Sequence, residues 1–213
     1  MSPRYLVVDL GGVLFPFDHA HRLQRLADVF ALPADRIDVL LWRSGFSDDC
    51  DAGKYPHTAE IRDHIRAATG FTGRDDDLDA AWCSAFSPDH AVREVLERHR
   101  GSRPLALFTN NGPLEQEALL RMYPSMFDCF DHLLFSHRLG HRKPALTAFD
   151  AAAKQLGARP ADILFVDDSA ANIDAAHTAG WTARHFQSKE TLEQTLSHES
   201  GRVGHPRLRS TRP

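Results

Sequence analysis

The sequence predicts an α/β protein with a Rossmann-like, doubly wound parallel sheet in three layers. Short, continuously apolar segments end in polar residues, and segments with the helical period of 3.6 residues lie between them. Continuously apolar strands are typical of parallel sheets, because the connecting helices cover both faces. The expected strands are Tyr5–Leu10, Leu105–Asn110, His132–His137, Ile163–Asp168 and Thr182–Phe186.

Helices are expected between these strands, and the residues at their ends support the assignment. Ser87 and Pro88 can open a helix, while Gly157 and Gly180 stand where glycine commonly follows a helix C-terminus. The expected helices are Asp89–Arg100, Pro113–Met122, Ala145–Leu156 and Ser169–Ala179.

One long region breaks the alternation of strands and helices. Residues 17–85 contain no strand pattern, whereas apolar residues such as Leu23, Leu26 and Phe30 fall on one helical face. Ile61 and Ile65 repeat this spacing. This region is therefore expected to form a small all-helical cap, inserted after the first strand and lying over the strand ends.

These patterns predict a division of the chain into three parts. Residues 1–16 and 86–197 would form the catalytic core, and residues 17–85 the helical cap. Residues 198–213 hold four arginines against the single acidic residue Glu199, so their formal charge is +3. Because they offer few apolar side chains to bury, we expect a flexible basic tail.

The composition limits the possible classes of function. The 213 residues are 42% hydrophobic and 25% charged, and a net charge of −4 disfavours nucleic-acid binding. No apolar run approaches the roughly 20 residues that span a bilayer. Three widely separated cysteines indicate neither a disulfide framework nor a zinc site, so a reducing cytoplasm is expected. We expect a monomer or a weak homodimer.

Polar side chains follow the predicted strands, at the edge where ligands bind in open α/β sheets. Three of them are carboxylates, which cannot all stay ionised around one point without a cation. Carboxylate oxygens suit a hard metal ion, so Mg²⁺ is expected. The residues gathered there are Asp9, Thr109, Asn110, Lys143, Asp167 and Asp168.

This set of residues suits phosphoryl transfer. Thr109 and Asn110 would donate hydrogen bonds to phosphoryl oxygens, and Lys143 would place positive charge where negative charge develops. Asp9 would attack phosphorus and form an aspartyl-phosphate that water then hydrolyses. The predicted reaction is hydrolysis of a small phosphorylated metabolite.

The chain resembles the haloacid dehalogenase superfamily of hydrolases in four motifs. They read DLGGV at 9–13, FTNN at 108–111, HRKP at 141–144 and FVDDSAAN at 165–172. The helical insert is similar to the first type of cap in this superfamily, that of subfamily IA. The resemblance implies that Asp9 is nucleophile and metal ligand, that Thr109 binds phosphate, and that Lys143 is the family's cation. It also implies that Asp167 and Asp168 ligate or support Mg²⁺.

Gly11 departs from the usual family pattern. Most phosphatases of this superfamily have a second aspartate here, which protonates the leaving group, and such general acid catalysis is worth about 10²–10⁴ in rate. The carbonyl oxygen of Gly11 could still ligate the metal, as that position does in the family. The form DLGGV resembles a subgroup that includes α-glucose-1-phosphate phosphatases, whose anomeric leaving group needs less protonation. Asp18, His19 and His21 are weaker candidates for a replacement acid, and Asp18 is more simply a helix N-cap.

Other functions remain open from the same residues. A 2-haloacid dehalogenase would also lack the second aspartate, but such an enzyme needs no metal. The pair Asp167–Asp168 indicates a metal site and so argues against this function. A phosphonoacetaldehyde hydrolase would use a cap lysine, for which Lys54 is a candidate, although a solvated turn is the simpler explanation. A receiver-type switch has its acidic pair near the N-terminus. A slow protein that only binds phosphometabolites is the non-catalytic alternative.

Substrate identity would depend on residues of the cap and of the segment that leads into it. We expect the cleft to draw on six side chains, although packing within the cap explains the aromatic ones as well. The six are Phe15, Phe17, Trp42, Arg43, Phe46 and Tyr55.

Overall fold

A five-stranded sheet forms the centre of the protein. The computed structural model describes residues 3–101 and 103–201. All strand pairs are parallel and the strand order is β3-β2-β1-β4-β5. The fold class predicted from the sequence is confirmed. The strands are β1 (Tyr5–Val8), β2 (Leu105–Thr109), β3 (His132–Phe135), β4 (Ile163–Asp167) and β5 (Thr182–His185).

Both faces of the sheet are covered by helices, which makes three layers. Along β1, Leu6 and Val8 belong to one apolar cluster, and Val7 between them belongs to the other. This alternation follows from the two-residue period of a strand. The helices that cover the faces are α6 (His90–His99), α7 (Pro113–Met122), α10 (Leu146–Leu156), α11 (Ala170–Thr178) and α12 (Lys189–Gly201). Short helices α8 (Pro124–Phe127) and α9 (Ser136–Leu139) join them.

The segment between β1 and β2 is helical, as its apolar spacing predicts. Its apolar residues, such as Leu26, Ile37 and Ile61, share one continuous cluster with the sheet. Its helices are α1 (His19–Phe30), α2 (Ala34–Asp38), α3 (Phe46–Asp51), α4 (Thr58–Thr69) and α5 (Asp75–Trp82), with a π-helical turn at Val39–Arg43 and a 3₁₀ turn at Cys83–Ala85.

The two ends of this segment lie side by side. The backbone N–H of Asp18 donates to the Ala85 carbonyl at 2.9 Å, and that of Ser87 donates to the Pro16 carbonyl at 3.2 Å. An isolated antiparallel bridge joins Phe17 and Phe86. These paired crossings coincide with the boundaries we propose for a cap of residues 17–85 on a core of residues 1–16 and 86–197.

The structure differs from the predicted elements mainly at their ends. The strands stop one or two residues early, because Asn110 and Asp168 belong to the turns that carry polar side chains. Helix α12 was not predicted, and it extends into residues 198–201, which we had assigned to the tail. Residues 202–213 lie outside the described part of the chain. Among the described helices, none is long and apolar enough to cross a membrane.

Candidate active site

Three carboxylates meet where β1 and β4 end. Asp9 follows β1, Asp167 is the last residue of β4, and Asp168 comes next. One oxygen atom from each lies within 4.8 Å of the other two. Because the two strands are hydrogen-bonded neighbours in the sheet, their carboxyl ends deliver all three side chains to one point.

Lys143 joins two of these carboxylates. Its Nζ lies 2.8 Å from Asp9 Oδ1 and 2.7 Å from Asp167 Oδ2, and it donates to the Phe108 carbonyl at 2.9 Å. Burial disfavours the charge of Lys143, but the two carboxylates outweigh this effect and raise its pKa. The lysine therefore stays a cation, and one cation faces three carboxylates.

Asp9 is poorly suited to carry its charge without further cations. Burial raises the pKa of its carboxyl to about 7; the charge of Lys143 opposes this shift and that of Asp167 adds to it. A carboxyl with that pKa is partly protonated at neutral pH. A divalent cation beside Asp9 would favour the ionised form, which is the one that can attack an electrophile.

Asp167 and Asp168 have different surroundings. Asp167 is fully buried and accepts hydrogen bonds from Ser169 N at 2.8 Å, from Asn172 Nδ2 at 3.0 Å to each oxygen, and from Lys143. These contacts use the roughly four acceptor positions of a carboxylate. Asp168 is exposed at the surface of the site. The pKa of its carboxyl is still raised, because neighbouring atoms shield part of the group from water and because Asp167 carries a like charge. Asp9 and Asp168 would thus be the more available ligands for a metal ion, with Asp167 in support.

Thr109 lies at the end of β2 with its hydroxyl ordered by Asn111. Asn111 Nδ2 donates to Thr109 Oγ1 at 2.6 Å, which leaves the hydroxyl hydrogen available for a bound anion. The Asn111 backbone N–H donates to Ser136 Oγ at 3.1 Å, and Ser136 Oγ donates to the Asp51 carbonyl at 2.7 Å. A hydrogen-bonded chain therefore runs from Thr109 to the end of helix α3.

The side chain of Asn110 binds the Lys143 loop. Asn110 Nδ2 donates to the Lys143 carbonyl at 2.8 Å, and the Lys143 N–H donates to Asn110 Oδ1 at 2.9 Å. We had expected this carboxamide to donate to a phosphoryl oxygen. Two main-chain contacts hold it and fix the loop that presents Lys143, while Asn110 also lines the cavity and keeps its second amide hydrogen available for such a donation.

A cavity of about 300 Å³ opens over these residues. Its wall includes Asp9, Thr109, Lys143 and Asp168, and on the other side Phe17 and Phe86. Gly11 lies on this wall, and a β-carbon placed there would stand 3.6 Å from Phe86 Cε1 and 3.7 Å from Phe17 Cδ2. These are ordinary contact distances. Steric crowding around the β-carbon therefore does not explain why position 11 is a glycine.

The family follows from a comparison of the whole chain with known families. Residues 4–180 match the model of the haloacid dehalogenase-like hydrolases. The protein belongs to this family. The matched region contains every candidate site residue predicted from the sequence, so the family resemblance noted there is confirmed.

Two curated relatives of this haloacid dehalogenase-like hydrolase are phosphatases. Enolase-phosphatase E1 of Synechococcus elongatus is 26% identical over 206 residues, which cover 84% of this chain and 86% of that protein. Fructose-1-phosphate phosphatase YqaB of Escherichia coli is 30% identical over 90 residues, which cover 42% of this chain and 47% of that protein.

Solved structures of the family share the fold. An enzyme from Bacteroides thetaiotaomicron superposes with a TM-score of 0.80 at 23% identity, covering 92% of this chain and 99% of that one. Another structure of that enzyme contains magnesium and inorganic phosphate (TM-score 0.74, 23% identity, 87% and 94% covered). L-2-haloacid dehalogenase from Xanthobacter autotrophicus superposes with a TM-score of 0.61 at 18% identity, covering 95% and 85%.

The remaining sequence candidates lie away from the carboxylates. Asp18 Oδ1 accepts from the His21 N–H at 2.9 Å and caps α1, and Lys54 Nζ lies 2.7 Å from Asp49 in an exposed turn. Of the six cleft candidates, only Phe17 lines the cavity. Phe15 is buried in the core, Arg43 is exposed and pairs with Asp38, and the other three contact neighbouring aromatic rings.

Sequence reasoning missed three residues that shape the site. Phe86, which faces Gly11, lies far from any motif, so no signal in the sequence identified it. Asn111 was contained in the FTNN motif but received no role, although a second polar residue after a buried strand is a usable signal. Ser136 gave none, because its function depends on the contact with Asp51.

The residues present fit a divalent metal ion. The donor set consists of carboxylate oxygens, which Mg²⁺ prefers, and the three of them exceed the single positive charge of Lys143. Asp9 and Asp168 would hold the ion, with Asp167 behind them; such an ion supplies charge neutralisation to the site and its anionic ligand.

Proposed function

We propose that this protein is a Mg²⁺-dependent phosphatase that hydrolyses a small phosphomonoester through an aspartyl-phosphate at Asp9. The observation that carries the proposal is the charge balance of the site, where three carboxylates lie within 4.8 Å of one another and one lysine pairs with two of them. An anionic substrate would be repelled by this cluster unless a divalent cation balanced it. The two positive charges of Mg²⁺ would offset the excess of three carboxylates over one lysine, so that the cluster no longer repels a phosphate.

The residues divide the reaction between them. An Asp9 carboxylate oxygen attacks phosphorus, the bond from phosphorus to the leaving oxygen breaks, and that oxygen takes a proton from solvent. Water then cleaves the acyl phosphate, which restores Asp9 and releases inorganic phosphate. Thr109 donates to a phosphoryl oxygen, and the Lys143 ammonium orients Asp9 and offsets the negative charge that develops.

Gly11 restricts which esters are good substrates. Without an acid at this position, an ester with a poor leaving group reacts slowly, whereas an anomeric hydroxyl leaves more readily. We therefore propose a sugar 1-phosphate or a similar activated ester. The names of the curated phosphatase relatives support a small phosphorylated metabolite as the substrate.

The test is phosphate release from a panel of esters with Mg²⁺ and with EDTA. Wild type is compared with Asp9→Asn, and with Asp28→Asn as a control at an exposed position on α1. We expect release that needs both Mg²⁺ and Asp9 and that favours sugar 1-phosphates over sugar 6-phosphates. No release from any ester, or release of halide from a 2-haloacid without metal, would contradict the proposal.

A further inference from the structure

Arg22 is a buried cation without an ionic partner. It lies on helix α1 and is 3% exposed. No carboxylate of the described residues forms an ion pair with its guanidinium, and its Nε has no hydrogen-bond partner. Arginines are rarely buried in this way unless they are paired, because an uncompensated charge is costly to remove from water.

Four aromatic rings surround the guanidinium. Its Cζ lies 5.1 Å from the ring centre of Phe17, 5.4 Å from those of Trp42 and Phe86, and 5.9 Å from that of Trp82. Cation–π contacts stabilise the charge, but they leave the N–H donors of the guanidinium without acceptors. Within the described part of the chain, the guanidinium therefore has cation–π contacts but no directly hydrogen-bonded anion.

The buried carboxylate of Glu115, whose charge acts on Arg22, is hydrogen-bonded to another residue. Glu115 is 3% exposed and its Oε1 accepts from Trp82 Nε1, whereas its Oε2 has no partner. Burial lowers the pKa of Arg22, and the charge of Glu115 opposes this shift without forming a direct pair. The fold thus holds the guanidinium and this carboxylate near each other but unpaired.

Arg22 lies directly behind one wall of the catalytic cavity. Phe17 and Phe86, which contact its guanidinium, face Gly11 on their other side. Phe17 is 48% exposed, and an outward turn of its ring would open a path from the cavity to Arg22. Because Gly11 has no side chain, a substrate in the cavity can extend toward these two rings.

We propose that Arg22 is a specificity-determining residue that binds a second anionic group of the substrate, at the end opposite the transferred phosphate. This inference rests on the proposed function and narrows it to phosphomonoesters that also carry a carboxylate or a second phosphate. The planar guanidinium donates in parallel to two oxygens of either group. The bound anion would then supply a hydrogen-bond acceptor to the guanidinium, whose Nε has none among the described residues.

Three hexose derivatives test the proposal, and each would lose its 1-phosphate from the same anomeric oxygen. They are a hexose 1-phosphate, the corresponding uronic acid 1-phosphate and the 1,6-bisphosphate, which place a neutral group, a carboxylate or a phosphate at carbon 6. The measurement is kcat/KM with Mg²⁺ for wild type, Arg22→Met and Arg22→Lys. Arg25→Met is the matched control, because Arg25 lies exposed on the same helix.

Wild type is expected to prefer the uronic acid 1-phosphate or the bisphosphate by roughly 10- to 100-fold, the strength of a charged hydrogen bond. Arg22→Met should lose this preference, and Arg22→Lys should keep part of it. Arg25→Met should match wild type. An equal preference in wild type and Arg22→Met, or no preference in wild type, would overturn the proposal.

Binding separates this inference from the hydrolase itself. Dissociation constants of the same compounds are measured on Asp9→Asn and on the double variant Asp9→Asn/Arg22→Met. One outcome is that wild type hydrolyses no ester while Asp9→Asn still binds the doubly anionic compounds more tightly than the hexose 1-phosphate and the double variant does not. In that case Arg22 binds the anion, and only the proposed hydrolase activity is wrong. If Arg22→Met does not fold, Arg22→Lys provides the test. Unchanged selectivity in that variant would show that Arg22 does not bind the second anionic group.

Discussion

The carboxylate of Asp168 lies against the α-carbon of Gly12. A β-carbon built on Gly12 would stand 2.0 Å from Asp168 Oδ2, far inside the contact distance of the two atoms. Gly12 also has a φ of +79°, a conformation that glycine adopts without strain. The second glycine of the DLGGV motif therefore makes room for one of the carboxylates at the proposed metal site.

Replacing Gly12 by alanine should displace Asp168 and weaken Mg²⁺ binding. Changes that misplace a metal-ligand environment typically cost about 10- to 100-fold in affinity. Isothermal titration with Mg²⁺ measures the effect. Gly70→Ala is the matched control, because Gly70 has a similar φ of +76° and no atom near its hypothetical β-carbon. Equal Mg²⁺ affinity in Gly12→Ala and wild type would show that Asp168 is not a ligand.

Replacing Gly11 by aspartate should accelerate hydrolysis of esters with poor leaving groups. The new carboxyl group would extend into the cavity, since the β-carbon meets only Phe17 and Phe86 at ordinary contact distances. General acid catalysis contributes about 10²–10⁴ in favourable geometry, so even a suboptimal acid should give roughly 10-fold. The measurement is kcat/KM for a sugar 6-phosphate relative to a sugar 1-phosphate.

Gly11→Asn is the control for this substitution, because it has the same size as aspartate and cannot donate a carboxyl proton. A gain in both variants would point to packing rather than to acid catalysis. A loss in Gly11→Asp together with an intact fold would mean that the empty space at position 11 is needed by the substrate.

The sequence predicts the sheet and the carboxylate cluster well, for a physical reason. Strands β1, β2 and β4 are apolar runs, and the first polar residue of each stands at the edge where the site forms, so Asp9, Thr109 and Asp167 could be placed together from pattern alone. The contacts of Arg22 and Phe86 could not, because they join helices whose mutual packing has no signature along the chain. Helix α12 was missed for a related reason, since only Leu192 and Leu196 show its buried face.

Removing the hydroxyl of Ser136 should impair the site from a distance. Its Oγ accepts from the Asn111 N–H and donates to the Asp51 carbonyl, so Ser136→Ala leaves two buried backbone groups unpaired. Such a loss costs about 1–3 kcal/mol in the free energy of unfolding. The displaced Asn111 should also raise KM for the phosphoester, because it orders the Thr109 hydroxyl.

Urea unfolding and steady-state kinetics measure the two effects of Ser136→Ala. Ser84→Ala is a suitable control, since the Ser84 hydroxyl bonds only to the nearby Ala81 carbonyl within the described contacts. If Ser136→Ala loses stability but keeps the wild-type KM, the chain from Thr109 to Asp51 supports the fold without positioning the phosphate.

His137 should make the protein sensitive to acid. Burial lowers its pKa from 6.5 to about 4, with the charge of Arg138 acting in the same direction, and its Nε2 lies 2.7 Å from Gln116 Oε1. Between these two pH values the unfolded chain binds a proton at this histidine and the folded protein does not. The stability that His137 contributes is thus fully present above pH 6.5 and is lost as the pH falls toward 4.

The measurement is the melting temperature from pH 7.5 to pH 4.5 for wild type and His137→Gln, without added metal. Because glutamine does not titrate, the variant should lose less stability over this range, and its curve should approach that of wild type on the acid side. His177→Gln, at an exposed position on α11, should follow wild type. Removing a histidine whose pKa is lowered in the folded protein must change how stability depends on pH. Parallel curves for wild type and His137→Gln would therefore mean that other groups cause the acid sensitivity.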